Sequence, residues 1–172
     1  MIISAEAIEQ PLAGVYRERI YDIAYDWNSR DWTWIKFTED DHEWCGEFRG
    51  AYAGVAVSKK HGVVVVLTSN HLYVLDMQSA EVRETISGHP YTAMTCSPLD
   101  DIILTDGYEL AMFTGDNIAS IQPISTPIQP DCLEFLEWQG NVLKMTCYEF
   151  LNWSNRPTLY LDSESMKWLD SE

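Results

Sequence analysis

From about Val55 onward the hydrophobic positions fall in short runs. "GVAVS", "HGVVVVLTS", "NHLYVLDM" and "AEVRETI" follow one another, rich in β-branched and aromatic residues and separated by Gly, Ser, Asn and Asp. That pattern predicts strands joined by tight turns, and helical periodicity is missing from it. The series then recurs. Gly62 precedes "VVVVL", Asp101 precedes "IILTD" and Gly140 precedes "NVLKM", at steps of 39 residues, while Leu72, Leu110 and Phe150 repeat at steps of 38 and 40. Three units of strand, turn and strand are therefore written end to end.

The first fifty residues read differently. "GVYRERIYDIAYDWNSRDWTWIKFTED" is expected to open with a short helix or strand. "DWTWIKF" alternates apolar and polar positions as a strand does, with "WNSRD" supplying a turn ahead of it and "EWCGEF" following. A shorter, hairpin-based unit is expected here. The chain is thus read as one domain of four units, 1–54, 55–90, 91–128 and 129–172. "PISTPIQP" (123–130), with three prolines in eight residues, forms the rigid link between the last two.

The period lies near the roughly 40 to 45 residues of a four-stranded propeller blade. "SGHPYTAMTCSPLDDIILTDGYELAMFTGDNIASI" (87–121) resembles a WD-repeat blade, with Gly88-His89 ahead of an apolar stretch, then "CSPLDD", a strand pair and a turn containing Asp116. "VAVSKKHGVVVVLTSNHLYVLDMQSAEV" (55–82) is similar, and its "LYVLD" also resembles the PQQ-type blade. No unit has the Trp-Asp dipeptide; "VLDM" and "AMFTG" stand in its place. The resemblance implies an all-β protein, a partial or half propeller of three to four small antiparallel sheets, whose open side exposes apolar surface unless the N-terminal segment, a second copy or a partner covers it. It also implies a binding scaffold, since such blades present loops to partners and carry no shared chemistry.

Candidate chemistry concentrates in "TEDDHEWCGE" (38–47), which holds Glu39, Asp40, Asp41, Glu43 and Glu47 with His42 and Cys45. Zinc needs about four convergent ligands, and no second His/Cys pair of suitable spacing exists. The segment also lacks the loop pattern of a calcium hand. Acid/base catalysis needs two carboxylates of divergent pKa across a cleft, and among 27 acids many pairs can be drawn, so the residue types alone single out none. No G-x-S-x-G, protease-type cysteine context or glycine-rich phosphate loop is present. The sequence therefore points to no enzyme, no metal and no cofactor.

Surface recognition fits better. Trp27, Trp32, Trp34 and Trp44 are interleaved with Asp26, Asp31, Glu39, Asp40, Asp41 and Glu43. Aromatics supply anchor area and carboxylates complement Lys and Arg on a partner. At least half of these tryptophans are expected to point into the core, as alternating strand positions do. The hairpin turn is expected to hold Glu39, Asp40, Asp41 and Glu43 outward, with Trp44 and Cys45 turned into the sheet. Asp100, Asp101, Tyr108 and Glu109, in "PLDD" and "DGYE", form a second acidic group expected on the same rim.

Charge sharpens this. Eleven Lys and Arg against 27 Asp and Glu give a formal charge of -16. The resulting field disfavours nucleic acid and anionic membrane and attracts basic proteins. "MIISAEAIEQPLAG" has no basic leader region, no run has the length of a membrane span, and four separated cysteines suit a reducing compartment, so a cytoplasmic location is expected. In character the chain is similar to bacterial immunity proteins, which are small and acidic and neutralise a cognate toxin, often a basic nuclease, by covering its active site. That similarity implies a basic protein partner for a monomer or homodimer. A scaffold subunit of a larger complex and a carboxylate-dependent hydrolase are the alternatives.

Overall fold

The structure, a computed structural model, describes residues 1–22 and 30–169. It is all-β, with four four-stranded sheets, none closed into a barrel. Sheet one holds β1 (Ser4–Ile8), β2 (Arg17–Tyr21), β3 (Trp32–Thr38) and β4 (Glu43–Arg49) in the order β1-β3-β4-β2, with β2 parallel to β4. The others are antiparallel meanders. Sheet two is β5 (Tyr52–Ser58), β6 (Val63–Thr68), β7 (His71–Asp76) and β8 (Val82–Ser87). Sheet three is β9 (Ala93–Cys96), β10 (Ile102–Thr105), β11 (Leu110–Phe113) and β12 (Ile121–Ile124). Sheet four is β13 (Pro130–Gln139), β14 (Val142–Glu149), β15 (Thr158–Asp162) and β16 (Lys167–Leu169).

The short N-terminal helix that the sequence allowed is absent among the described residues, where the only helical turn is a 3-10 turn at Ile118–Ser120. The N-terminal segment instead gives β1 and β2, which flank the β3–β4 hairpin and turn it into a full sheet. "SAEAI" has little strand propensity of its own. Pairing with β3 along Ser4 to Ile8 and the packing of Ile2 and Ala5 into the core decide its conformation.

Three apolar layers join the sheets in chain order. Tyr21, Ile35, Phe37, Trp44 and Phe48 of sheet one meet Val64, Val66, Tyr73 and Leu75 of sheet two. Val63, Val65, Leu67, Leu72 and Val74 on the other side of sheet two meet Ile102, Leu104 and Phe113. Ile103 and Leu110 meet Leu133, Leu143, Met145 and Leu161 of sheet four. Successive side chains of a strand point to opposite faces, so a strand sandwiched between two sheets must be apolar at every position. That is why "VVVVL" is an unbroken run.

The two end sheets have one free face each. On sheet four this face is mixed: Lys144 Nζ lies 3.2 Å from Glu137 and Arg156 Nη2 3.4 Å from Glu134, while half-buried Tyr160 and exposed Leu169 share the face with Lys144. On sheet one the buried set of β3 is Thr33, Ile35 and Phe37, which sends Trp32 and Trp34 to the free face, half-buried. The Arg49 guanidinium lies 3.9 Å from the Trp32 ring, and Lys36 sits between Glu6 (2.6 Å) and Glu43 (3.3 Å). Of the tryptophans expected inside, Trp44 is buried, Trp32 and Trp34 are not, and Trp27 lies outside the described residues.

Candidate functional site

Strand direction sorts the connections onto two ends of the molecule. The first end carries the turns at 39–42, 59–62, 77–81, 97–101, 114–120, 140–141 and 163–166. The second carries 50–51, 69–70, 88–92, 106–109, 125–129 and 150–157. Strands of about six residues separate the ends by roughly 20 Å.

The 39–42 turn closes through a hydrogen bond from Glu39 N to His42 O at 2.9 Å. Glu39 is not a free surface carboxylate. Its Oε1 accepts the Trp44 indole N–H at 2.9 Å, and its Oε2 lies 3.4 Å from His42 Nε2 and 3.9 Å from the N-terminal amine. Glu39 therefore anchors the hairpin, while Asp40 and Asp41 project from its tip and Glu43 is shared with Lys36. Trp44 and Cys45 are buried, as expected for residues turning back into the sheet, and burial pushes the Cys45 thiol up to about 11.

Asp100 and Asp101 lie at the same end but differ from each other. Asp101 is buried, 2.6 Å from Lys60 Nζ and 3.8 Å from His61 Nε2, and its backbone N–H donates to Ser97 Oγ. It ties the inner turns of sheets two and three together and leaves the candidate contact surface. Asp100 is half-buried with φ +64, and its carbonyl accepts Ser58 Oγ at 2.7 Å.

The sequence groups Tyr108 and Glu109 with Asp100 on one rim, and the structure separates them. The four-residue β10 runs between the two turns and carries them to the second end, where exposed Asp31 also lies. Here Asp106 Oδ1 accepts the backbone N–H groups of Tyr108 (2.8 Å) and Glu109 (2.7 Å), and Leu133 N donates to Gly107 O at 2.8 Å, fixing the turn against sheet four. Asp26, like Trp27, lies outside the described residues.

Two features escaped the sequence reading. A polar cleft of about 370 Å³ opens at the first end between β2, the 39–42 turn and the 77–80 turn, lined among others by Arg17, Arg19, Glu39, His42 and Ser79. Arg19 is held there by Glu81 and by the Ser79 carbonyl at 3.0 Å. At the second end, Phe150, Leu151 and Trp153 stand exposed in the loop after β14. Their signal was present as "FLNW", large apolar residues set among Asn and Ser between two strands.

Seven of the eleven Lys and Arg (Arg19, Lys36, Arg49, Lys60, Arg83, Lys144 and Arg156) are engaged with carboxylates of the chain itself. Among the described residues, no group of three or more His, Cys, Asp or Glu is placed to hold a metal ion, and no helix is long and apolar enough to cross a membrane. The four thiols are free. No protein-family model matches this chain, and no curated protein is similar to it in sequence.

Proposed function

We propose that this chain is a protein-binding inhibitor of the immunity type, a half-propeller-like array that neutralises a basic, nuclease-type toxin in the cytoplasm by laying carboxylates over its active site. The stacking of four small sheets, with β1 beside β5, β5 beside β9 and β9 beside β13, supports the blade-array reading. The observation that carries the function is the distribution of charge. Most cations are spent on internal pairs, so the far field belongs to carboxylates that have no such partner among the described residues, including Asp40 and Asp41 at the first end and Asp31, Asp106 and Glu109 at the second. Such a field steers a basic partner and speeds encounter. The chain does no chemistry in this reading and takes no cofactor.

Co-expression with candidate basic toxins tests it. The cognate toxin should co-purify, lose activity in the complex, and associate more slowly as salt rises. Stable binding that is insensitive to salt, or a partner that remains active when bound, would sink the proposal. Neutralising Glu39, Asp40, Asp41 and Glu43 together should change association and salt sensitivity, whereas loss of an intrinsic turnover would favour the hydrolase.

A further inference from the structure

We infer that the second end is the docking surface, and that it takes an extended, basic segment of the partner protein with an apolar side chain lodged between Tyr108 and Phe150. The inference rests on the proposed function and names the surface it uses. A groove of about 490 Å³ runs between sheets three and four, walled by Tyr108, Glu109, Pro127, Ile128, Pro130 and Phe150. A second depression of about 150 Å³ lies on the other side of the 106–109 turn, with Pro90, Tyr91 and Pro123 in its wall, and Glu109 belongs to both. Aromatic and proline walls on either side of an acidic turn suit an extended chain crossing it, in the manner by which aromatic grooves take proline-rich segments.

Exposed apolar side chains occur elsewhere on the molecule, Leu12 and Ile20 among them, but here four of them stand around the groove and the loop beside it. Tyr108 is 56% exposed, Phe150 40%, Leu151 82% and Trp153 70%. Large apolar side chains gathered at one end mark a contact surface, and Trp and Tyr are the usual anchors. The loop carrying them is held in place before any partner arrives. The Glu149 carboxylate accepts the side-chain amides of Asn152 (2.8 Å) and Asn155 (3.0 Å), Phe150 N donates to Gln129 O at 2.9 Å, and the Trp153 ring stacks on Tyr148 at 6.4 Å. Leu151 adopts φ +63, a left-handed conformation that costs about 1 kcal/mol for such a residue. The polar network thus fixes a conformation in which the leucine and tryptophan face water.

Charge decides the occupant. Asp106, Glu109 and Glu149 rim this end, and Arg156, within the 150–157 loop, is already 3.4 Å from Glu134 and 5.2 Å from the Tyr148 ring. A segment bearing Lys or Arg on either side of an apolar anchor complements that rim, whereas an acidic segment is repelled.

The probe is a fluorescein-labelled peptide of about twelve residues alternating Arg, Pro and Leu, near the length that crosses both depressions. Its anisotropy is titrated with the intact protein at about 0.15 M salt, where screening isolates the two ends. The peptide should bind, its Glu-for-Arg counterpart should not, and Tyr108→Ala and Phe150→Ala should each weaken binding at least about ten-fold. Glu164→Lys, at an exposed position of the 163–166 turn at the first end, should leave it within about two-fold, a Debye length being shorter than the span between ends, and Asp40→Lys/Asp41→Lys is kept for the toxin comparison. Equal binding by the Ala variants, equal binding of the acidic peptide, no binding of either peptide, or self-association of the protein lost in the same variants would each overturn the inference. Unchanged melting temperatures establish that the variants are folded. If a cognate toxin is still neutralised by the Tyr108 and Phe150 variants but escapes the Asp40/Asp41 variant, the docking surface falls and the proposed function stands.

Discussion

Asp76 shows how one carboxylate is made part of a turn. Its Oδ1 accepts the backbone N–H groups of Gln78 (2.9 Å) and Ser79 (2.8 Å), while Oδ2 accepts Arg83 Nε (3.1 Å) and Nη2 (2.6 Å). Arg83, then the Ser79 contact, hold its pKa well below the usual carboxylate range. A depressed folded-state pKa contributes stability that is fully present above the unfolded value near 4 and is lost as pH falls through the folded value. Asp76→Asn should therefore lower the melting temperature by a few degrees at pH 7, about 1 to 2 kcal/mol in lost hydrogen bonding. The gap between wild type and variant should begin to narrow below about pH 4 and go on narrowing as pH falls toward the folded-state value. Gly46 is a second residue with a local reason. A Cβ there would stand 2.7 Å from the rings of both Phe37 and Phe48, inside the layer between sheets one and two. Gly46→Ala should cost about 1 to 3 kcal/mol by denaturant titration, with an unchanged m-value.

At the scale of elements, β6 and β7 bury side chains on both faces and pair on both edges. β2, β8, β12 and β16 sit at sheet edges. Native-state hydrogen exchange should place the slowest amides in β6 and β7 and the fastest strand amides in β16, whose three residues pair on one side alone. Comparable protection throughout would contradict the layered packing. The "DWTWIKF" strand and the "TEDDHEWCGE" turn were both legible, because a two-residue period and a cluster of short polar residues are local signals. Which set of that period faces the core was not. Thr33, Ile35 and Phe37 prevail over Trp32 and Trp34 because sheet two offers its apolar surface to that side alone. β1 was illegible as a strand, and for β2 the sequence left helix and strand both open, since the stability of each comes from partners distant in sequence.

For the whole molecule, the formal charge of -16 and the three apolar layers act in opposite directions. Like-charge repulsion opposes compaction and is screened by salt over roughly 10 Å at 0.1 M. Melting temperature should therefore rise between about 0.01 and 0.5 M sodium chloride. A fall would mean that the exposed ion pairs outweigh the repulsion. The layers are also stitched by polar contacts, such as the Trp138 indole N–H donating to Thr95 Oγ1 at 2.8 Å across sheets three and four. Trp138→Phe should cost about 1 kcal/mol, read from the same salt-matched melts.

By itself the sequence determined what depends on neighbours in the chain. The strand runs, the period of about 39 residues, the acidic hairpin tip and the sign of the field all follow from local pattern and composition, whereas the 123–130 proline link is narrower than expected because Pro123 lies in β12 and Pro130 opens β13. Tertiary structure alone decided what depends on direction and distance. It buried Asp101 against Lys60, drew Glu39 onto Trp44, and sent Asp100 and Tyr108 to opposite ends although only seven residues lie between them. The physical reason is that a strand carries its two ends in opposite directions at about 3.3 Å per residue. Closeness in sequence across a strand is therefore distance in space, and only sheet packing brings the 106–109 turn beside the loop of Phe150 and Trp153.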